Sequence, residues 1–203
     1  MSMPVRGTAP TLLPNLRVVP RDAAPEAARP APPALRPGDA ETFRQLWRGF
    51  SSTVALVATE HGARRHAMLA TAVSSVSMEP PSLLVCVNRT ASAHDDLRER
   101  GAFSLGIMAS ENRHLAAAIA GAPSAARFAH GSWQRLRAPD QPIDGLPWLA
   151  DAQATLFCAI DTSVDYGTHA ILIVRVAGAI GAGDADPLLY CDGTYGRFSA
   201  AEA

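Results

Sequence analysis

Lysine is absent from this chain. All 18 basic residues are arginine, which excludes a Schiff-base lysine mechanism. Charge is scarce as well, at 18% of residues with a net charge of −1. A near-neutral chain lacks the electrostatic footprint of a nucleic-acid binder. No apolar run approaches the ~20 residues of a membrane span. The N-terminus lacks the apolar core of a signal peptide, so a cytoplasmic location is expected. Cysteine is limited to Cys86, Cys158 and Cys191. They are odd in number, far apart and inside apolar segments, which suits reduced thiols better than a disulfide framework or a metal cluster. No Gly-x-Gly-x-x-Gly follows a strand, and no Gly-x-Ser-x-Gly elbow occurs. A Rossmann site and serine-hydrolase chemistry therefore have no support.

What is present is a globular composition. With 203 residues, 48% of them hydrophobic, one domain can bury a substantial core. The lightly charged surface leaves apolar area for a subunit interface. Residues 1–38 are rich in proline and alanine. Pro25, Pro30, Pro32, Pro33 and Pro37 forbid a continuous helix. The reading is an extended tail, or an arm wrapping a partner subunit through Leu12, Leu13, Leu16, Val18 and Val19. Residues 39–203 form the domain.

Asp39 reads as an N-cap for a helix whose one face carries Phe43, Leu46, Trp47 and Phe50, with Gly49 at its end. Strands are predicted at Thr53–Thr59, through 66–76, at Leu83–Val87, Phe103–Met108, Thr155–Ile160 and His169–Val176, with a short one at Leu188–Cys191. Ser92 reads as the cap of a short helix ending near Gly101. Ser110 opens another helix that Gly121 closes. Residues 122–132 and 138–147 read as loops. Many strands, few helices and no βαβ alternation predict a mainly β fold with attached helices, a β-barrel rather than a doubly wound sheet.

The stretch from His66 to Pro81 carries most of the functional signal. Small, hydroxylated and β-branched residues dominate, and two prolines stop the element. Small side chains let a flat ligand reach the backbone N–H and C=O groups. On composition alone, a small-residue strand and turn in a β core is the better explanation.

Residue order adds to this. Ser75-Val76-Ser77-Met78-Glu79-Pro80-Pro81-Ser82-Leu83-Leu84-Val85-Cys86-Val87-Asn88-Arg89 resembles the signature of the flavin reductase family with the FMN-binding split-barrel fold. Further pieces follow in that family's order: Thr90 to Asp95, Gly101-Ala102-Phe103, Arg127-Phe128 with Trp133, and Leu156-Phe157-Cys158. Gly167-Thr168-His169, Pro187 to Tyr190 and Gly193-Thr194-Tyr195 complete the set. The resemblance covers residues 41–198. It implies an antiparallel split β-barrel, typically a homodimer with flavin near the interface. It also implies hydride transfer from NADH or NADPH to FMN or FAD, and a partner monooxygenase that takes the reduced flavin. A flavin-binding or interaction protein on the same fold, without reductase activity, is the alternative.

The resemblance assigns the flavin ring to Leu69, Ala70, Thr71 and Ala72 with Ser75, Val76 and Ser77. The phosphate falls to Asn88, Arg89, Ser92 and Ala93, between a strand and a helix start. Arg127 and Phe128 are implied to lie close to the flavin. His169 is implied to meet the nicotinamide, with Thr168 in place of the usual Asp. Tyr195 and Arg197 are candidates for a ring shelf and a dinucleotide phosphate contact. Relatives commonly carry hydroxyls where Ala91 and Ala93 stand. Flavin is therefore expected to bind weakly, as a substrate, and a hydroxyl restored at Ala93 is expected to tighten it. No metal site is expected. His94, Asp95 and Asp96 are consecutive on a helix and point in different directions. His61 and His66 flank a turn and can pair, but nothing suggests a third ligand.

Overall fold

The computed structural model describes residues 34–181 and 185–199. The domain is the unit Asp39–Ala203. The tail or arm read over 1–38 falls, for residues 1–33, outside the described residues.

Helix α1 (Ala40–Trp47) starts as expected, with Asp39 accepting a hydrogen bond from the Thr42 N–H at 2.8 Å. Strands β1 (Ser52–Thr53) and β2 (Ala55–His61) follow, then β3 (Arg64–Ala70), β4 (Val73–Met78) and β5 (Pro81–Asn88). The single strand read through 66–76 is thus two, broken at Thr71 and Ala72. Helix α2 (His94–Arg100) leads into β6 (Ala102–Ile107), and a 3₁₀ turn at Ser110–Asn112 precedes α3 (Arg113–Gly121). Gly101 closes α2 in the left-handed conformation, φ 68°. The expected cap from Ser92 is not made. The N-cap residue is Ala93, and the Ser92 hydroxyl bonds that of Ser124 at 3.2 Å.

The loop read over 122–132 holds a 3₁₀ segment, Ser124–Ala129, and the short pair β7 (Trp133–Arg135) and β8 (Pro147–Leu149) brackets the loop read over 138–147. Strands β9 (Ala154–Tyr166) and β10 (His169–Gly181) are 13 residues each, longer than their apolar runs suggest. Their far ends carry polar or exposed residues, so hydrophobicity alone truncates them. Last come β11 (Leu188–Cys191) and β12 (Thr194–Arg197).

All pairings are antiparallel. One seven-stranded sheet runs β3-β2-β6-β9-β10-β5-β4, and a three-stranded one runs β1-β11-β12. The edge strands of the large sheet, β3 and β4, are consecutive in the chain, separated only by Thr71 and Ala72. Three virtual bonds of ~3.8 Å bring Ala70 and Val73 within about 11 Å. The sheet must therefore roll until its two edges approach, although no ladder joins β3 to β4.

Rolling explains why β2 and β6 are buried on both faces. Ala55 and Val57 face an inner cluster with Val85, Leu97, Phe103 and Leu172. Val54, Leu56 and Ala58 face an outer one with Met108, Ile119 and Leu188. Val54 also links the sheets, donating to the Leu188 carbonyl and accepting from the Met108 N–H. Among the described residues, no helix is long and apolar enough to cross a membrane.

A buried carboxylate fastens the β2–β3 hairpin to α2. Asp96, only 4% exposed, accepts from Arg64 through both Nε (2.8 Å) and Nη2. It also accepts from His66 Nε2 at 2.5 Å, and His61 Nδ1 lies 3.4 Å away. His61 and His66 thus meet through Asp96, a partner thirty residues on from His66. His61, Asp96 and Glu99 form a potential cation-ligand set, but the Arg64 guanidinium lies against both carboxylates.

These donors, Arg64 first, hold the Asp96 carboxyl well below the usual carboxylate range. A depressed carboxylate stabilises the fold above its unfolded pKa of ~3.9 and loses that contribution as pH falls toward its folded value. Asp96→Asn is expected to cost about 1–3 kcal/mol near neutral pH. Denaturant melts should show this gap between the two proteins at neutral pH. The gap should narrow below about pH 4.

Candidate functional site

The seam between β3 and β4 opens onto a cavity of about 810 Å³. Thr71 to Ser75 and Ser77 line one wall, Pro81 to Leu84 and Cys86 another, and Trp47 and Phe50 the rim. Thr71, Ala72, Ser74 and Ser75 are exposed. The Ala72 carbonyl accepts from the Cys86 N–H at 3.0 Å, fixing the link across β5. The ladder skips Val76 between Ser75 and Ser77, so β4 bulges there. Ser77 is engaged locally, its hydroxyl accepting from the Glu79 N–H at 3.0 Å. Leu69 and Ala70 lie outside this wall: Leu69 packs on the outer cluster and Ala70 in the inner one. Val76 is 50% exposed and also outside it.

A second cavity of about 700 Å³ shares Trp47, Phe50, Ser52 and Thr71 with the first and adds Thr168, His169 and the turn Tyr190–Gly193. The structure thus brings His169 to the same hollow as Thr71, although 98 positions part them in sequence (169 − 71). His169 is exposed, and its Nδ1 is 2.9 Å from the Thr168 hydroxyl. Thr168 also lines a third hollow of about 670 Å³, with Asn88, Arg89, Thr90, His94, Asp95 and Gly167.

In this third hollow the Asn88 carboxamide oxygen accepts from the Thr90 N–H and hydroxyl, both at 2.9 Å. Arg89 reaches the Gly167 carbonyl at 3.3 Å and lies 3.9 Å from Asp165. Ser92 is exposed beside it. Ala93 is only 4% exposed, inside the inner cluster, with Ala91 packed against that cluster. A threonine at Ala93 would bury its hydroxyl among Leu97 and Val87 instead of meeting a phosphate. The expectation that it tightens flavin is corrected accordingly.

Arg127, Phe128, Arg197 and Tyr195 also line none of these hollows. The Arg127 guanidinium donates to the Ala67 carbonyl at 2.8 Å and the Ala122 carbonyl at 3.1 Å, gripping β3 from outside. Phe128 packs on Trp133, with Arg65 lying 4.5 Å over its ring. Arg197 pairs with Asp186 at 3.3 Å. Tyr195 is one layer removed, edge-on to Tyr190, which lines the second cavity. Burial, then the neighbouring Tyr190, raises its phenol pKa. Sequence reasoning misses Ser52, Cys86 and Tyr190 as lining residues. Cys86 and Tyr190 lie within motif pieces that give them no role, Ser52 lies in none, and only the fold collects the three.

The first hollow offers hydroxyls, amides, the Cys86 thiol and an aromatic rim, while the second and third add the His169 and His94 imidazoles and arginine and aspartate side chains. Such a set suits a flat heteroaromatic ring. Residues 47–199 match the family model described as Flavin reductase like domain, so the chain belongs to the flavin reductase family. It is 36% identical over 163 residues to an FMN reductase (NADH), RutF 1, from a strain of Methylorubrum extorquens, covering 80% of this chain and 78% of that protein. It is 37% identical to the reductase component of an FADH(2)-dependent resorcinol hydroxylase from a Rhizobium species, covering 78% of this chain and 87% of that protein. Among solved structures, BorF is the flavin reductase component of a bacterial two-component tryptophan halogenase. It superposes with a TM-score of 0.69 at 30% identity, covering 80% of this chain and 100% of that chain. The NADH:FAD oxidoreductase SgcE6 of Streptomyces globisporus gives 0.74 at 25%, covering 86% and 96%.

Thiol access provides a test of the site geometry. Cys158 is fully buried, and burial pushes its thiol up to about 12. Cys86 and Cys191 are partly exposed. With a maleimide at pH 8, two thiols are expected to label in the folded protein and the third only after denaturation. Rapid labelling of Cys158 in the native state would contradict this packing.

Proposed function

We propose that this protein is an NADH- or NADPH-dependent flavin reductase that delivers reduced FMN or FAD to a partner monooxygenase. The observation that carries the reading is the pair of hollows meeting at Thr71, one walled by small residues and the other by His169. The first fits a flavin ring: Thr71, Ala72, Ser74 and Ser75 expose backbone and hydroxyl groups beside a cavity with no charged lining residue. NAD(P)H and flavin supply the hydride transfer themselves when bound. The protein's task is to hold and orient, and to limit water. Thr71 and Ala72 present amide groups, while Trp47 and Phe50 shield the rim. His169 is assigned the nicotinamide side, its ring orientation set by the Thr168 hydroxyl. Asn88, Arg89 and Ser92 are assigned the flavin phosphate.

Two features support weak flavin binding. Asn88 is already engaged with Thr90, and Ala91 and Ala93 face the core. Reduced flavin can then leave for the partner. We read the rolled, unclosed sheet as the split barrel. The protein is assigned to the cytoplasm, where the free thiols Cys86, Cys158 and Cys191 stay reduced.

Dialysed protein should be nearly colourless, yet oxidise NADH or NADPH only when FMN or FAD is added. His169→Ala should lower kcat/KM for the nucleotide about tenfold or more, as expected when a positioned contact is lost. Bound flavin should protect Cys86 from maleimide. Flavin binding without oxidation of either nucleotide would leave a flavin-binding protein without reductase activity.

A homodimer is part of the same reading. Phe43 (61% exposed), Leu46, Trp47 and Phe50 present a face in which the rings stack at 5.4 and 4.6 Å. So much exposed aromatic surface marks an interaction site. Light scattering should give about twice the 21.3 kDa chain mass. Phe43→Glu with Leu46→Glu should shift the species to half that mass. A wild-type monomer that still reduces flavin would sink the dimer.

A further inference from the structure

The two segments assigned to flavin sit on separate elements. Thr71 and Ala72 continue β3, whereas Asn88 to Ala93 lead directly into α2, with Leu97 donating to the Ala93 carbonyl at 2.9 Å. Asp96 stands on the first turn of α2 and binds Arg64 and His66 of β3. A second connection closes the frame. Ser92 meets Ser124, and from that 3₁₀ segment Arg127 grips the Ala67 carbonyl of β3. From Ser92 the contacts thus run through Ser124 and Arg127 to β3, then through Asp96 and α2 back to Ser92. Asp96 is the buried charge in this frame, and none of the three hollows includes it.

We propose that Asp96 is a positioning residue for flavin, setting the spacing between the Thr71–Ala72 seam and the Asn88–Ala93 loop. The proposal rests on the flavin reading above. The physical ground is economy of anchoring. Two short, exposed segments need a rigid common support, and a carboxylate shared by two side chains of one strand supplies it at fixed length. The burial of His66 leaves its Nδ1 without a partner among the described residues. That ring is therefore held from one side only, by Asp96, and losing Asp96 frees it and leaves Arg64 only Glu99, at 4.0 Å.

The test compares Asp96→Asn and Arg64→Met with Thr59→Ala. Thr59 is equally buried and lies opposite His66 in the β2–β3 register, but its hydroxyl donates to the Ala102 carbonyl at 2.8 Å and not to Asp96. Flavin Kd is read directly by quenching of FMN fluorescence, and kcat and flavin KM in the coupled assay. Asp96→Asn should raise flavin Kd and KM about tenfold, the scale expected of a small misplacement of binding groups, with kcat within twofold. Arg64→Met should move both in the same direction by a smaller factor. Thr59→Ala should lower the melting temperature and move neither.

A folded Asp96→Asn with wild-type Kd and KM overturns the proposal while leaving the reductase reading intact. So does an equal loss in Thr59→Ala, which would mark the effect as general destabilisation. If Asp96→Asn does not fold, Arg64→Met decides, since its side chain is exposed: an unchanged Kd overturns the proposal. A wild-type protein that binds no flavin ends both readings, and one that binds flavin but oxidises no nucleotide ends only the reductase reading.

Discussion

The rest of the structure depends on one topological constraint. A seven-stranded sheet has its two edge strands joined by Thr71 and Ala72. So short a link forbids a flat sheet. Rolling the ladder gives it an inside and an outside, and both must be filled. This accounts for the continuous burial of Val54 to Ala58, which a half-exposed strand would not show. It also accounts for the separate clusters on the two faces of β2.

The same constraint creates the site. A closed ladder would satisfy the β3–β4 edge and leave no opening. Here the seam stays unjoined, and residues that must be small to pass between two edges also form the wall of a cavity. The side chains beside the seam, at Thr71, Ala72, Ser74 and Ser75, are the ones that line the cavity. A bulky residue there would narrow the hollow. The positions beyond are not free in this way: Ala91 and Ala93 answer to the core beneath them. A polar group added there would be buried before it reached a ligand.

Legibility in the sequence follows the range of the determining interaction. The α1 cap, the turn at Gly62 and the left-handed Gly101 are readable because each depends on neighbours within a few residues. The break at Thr71–Ala72 is not, since β-propensity is continuous from His66 to Val76 while the break is imposed by edges meeting across the whole sheet. The ends of β9 and β10 escape for a related reason. Asp161 and Thr162 lie past the apolar run, yet Asp161 is held in the strand by Arg175 at 2.8 Å across the pair. In the site, motif order brings forward Thr71 and His169, which the structure unites. Arg127 and Phe128 come forward on the same order, and the structure turns them to β3 and the outer cluster. Motif order records that residues persist together, not whether they face ligand or framework.

Asp96 illustrates the converse. In sequence it is the second acid of a helix first turn, where macrodipole complementation is sufficient explanation. A residue needed only for that purpose would remain in solvent. Burying a carboxylate is costly unless donors surround it, and here Arg64, His66 and His61 do so from a hairpin thirty or more positions away. Burial of this kind is a poor route to stability, since an apolar residue of similar volume would fill the same space without desolvating a charge. What a charge with fixed hydrogen-bond directions adds is register. It fixes where α2 lies along the hairpin, and through α2 it fixes the loop that begins at Asn88. The framework around the seam is therefore specified by direction as well as by packing, and Asp96 supplies that direction.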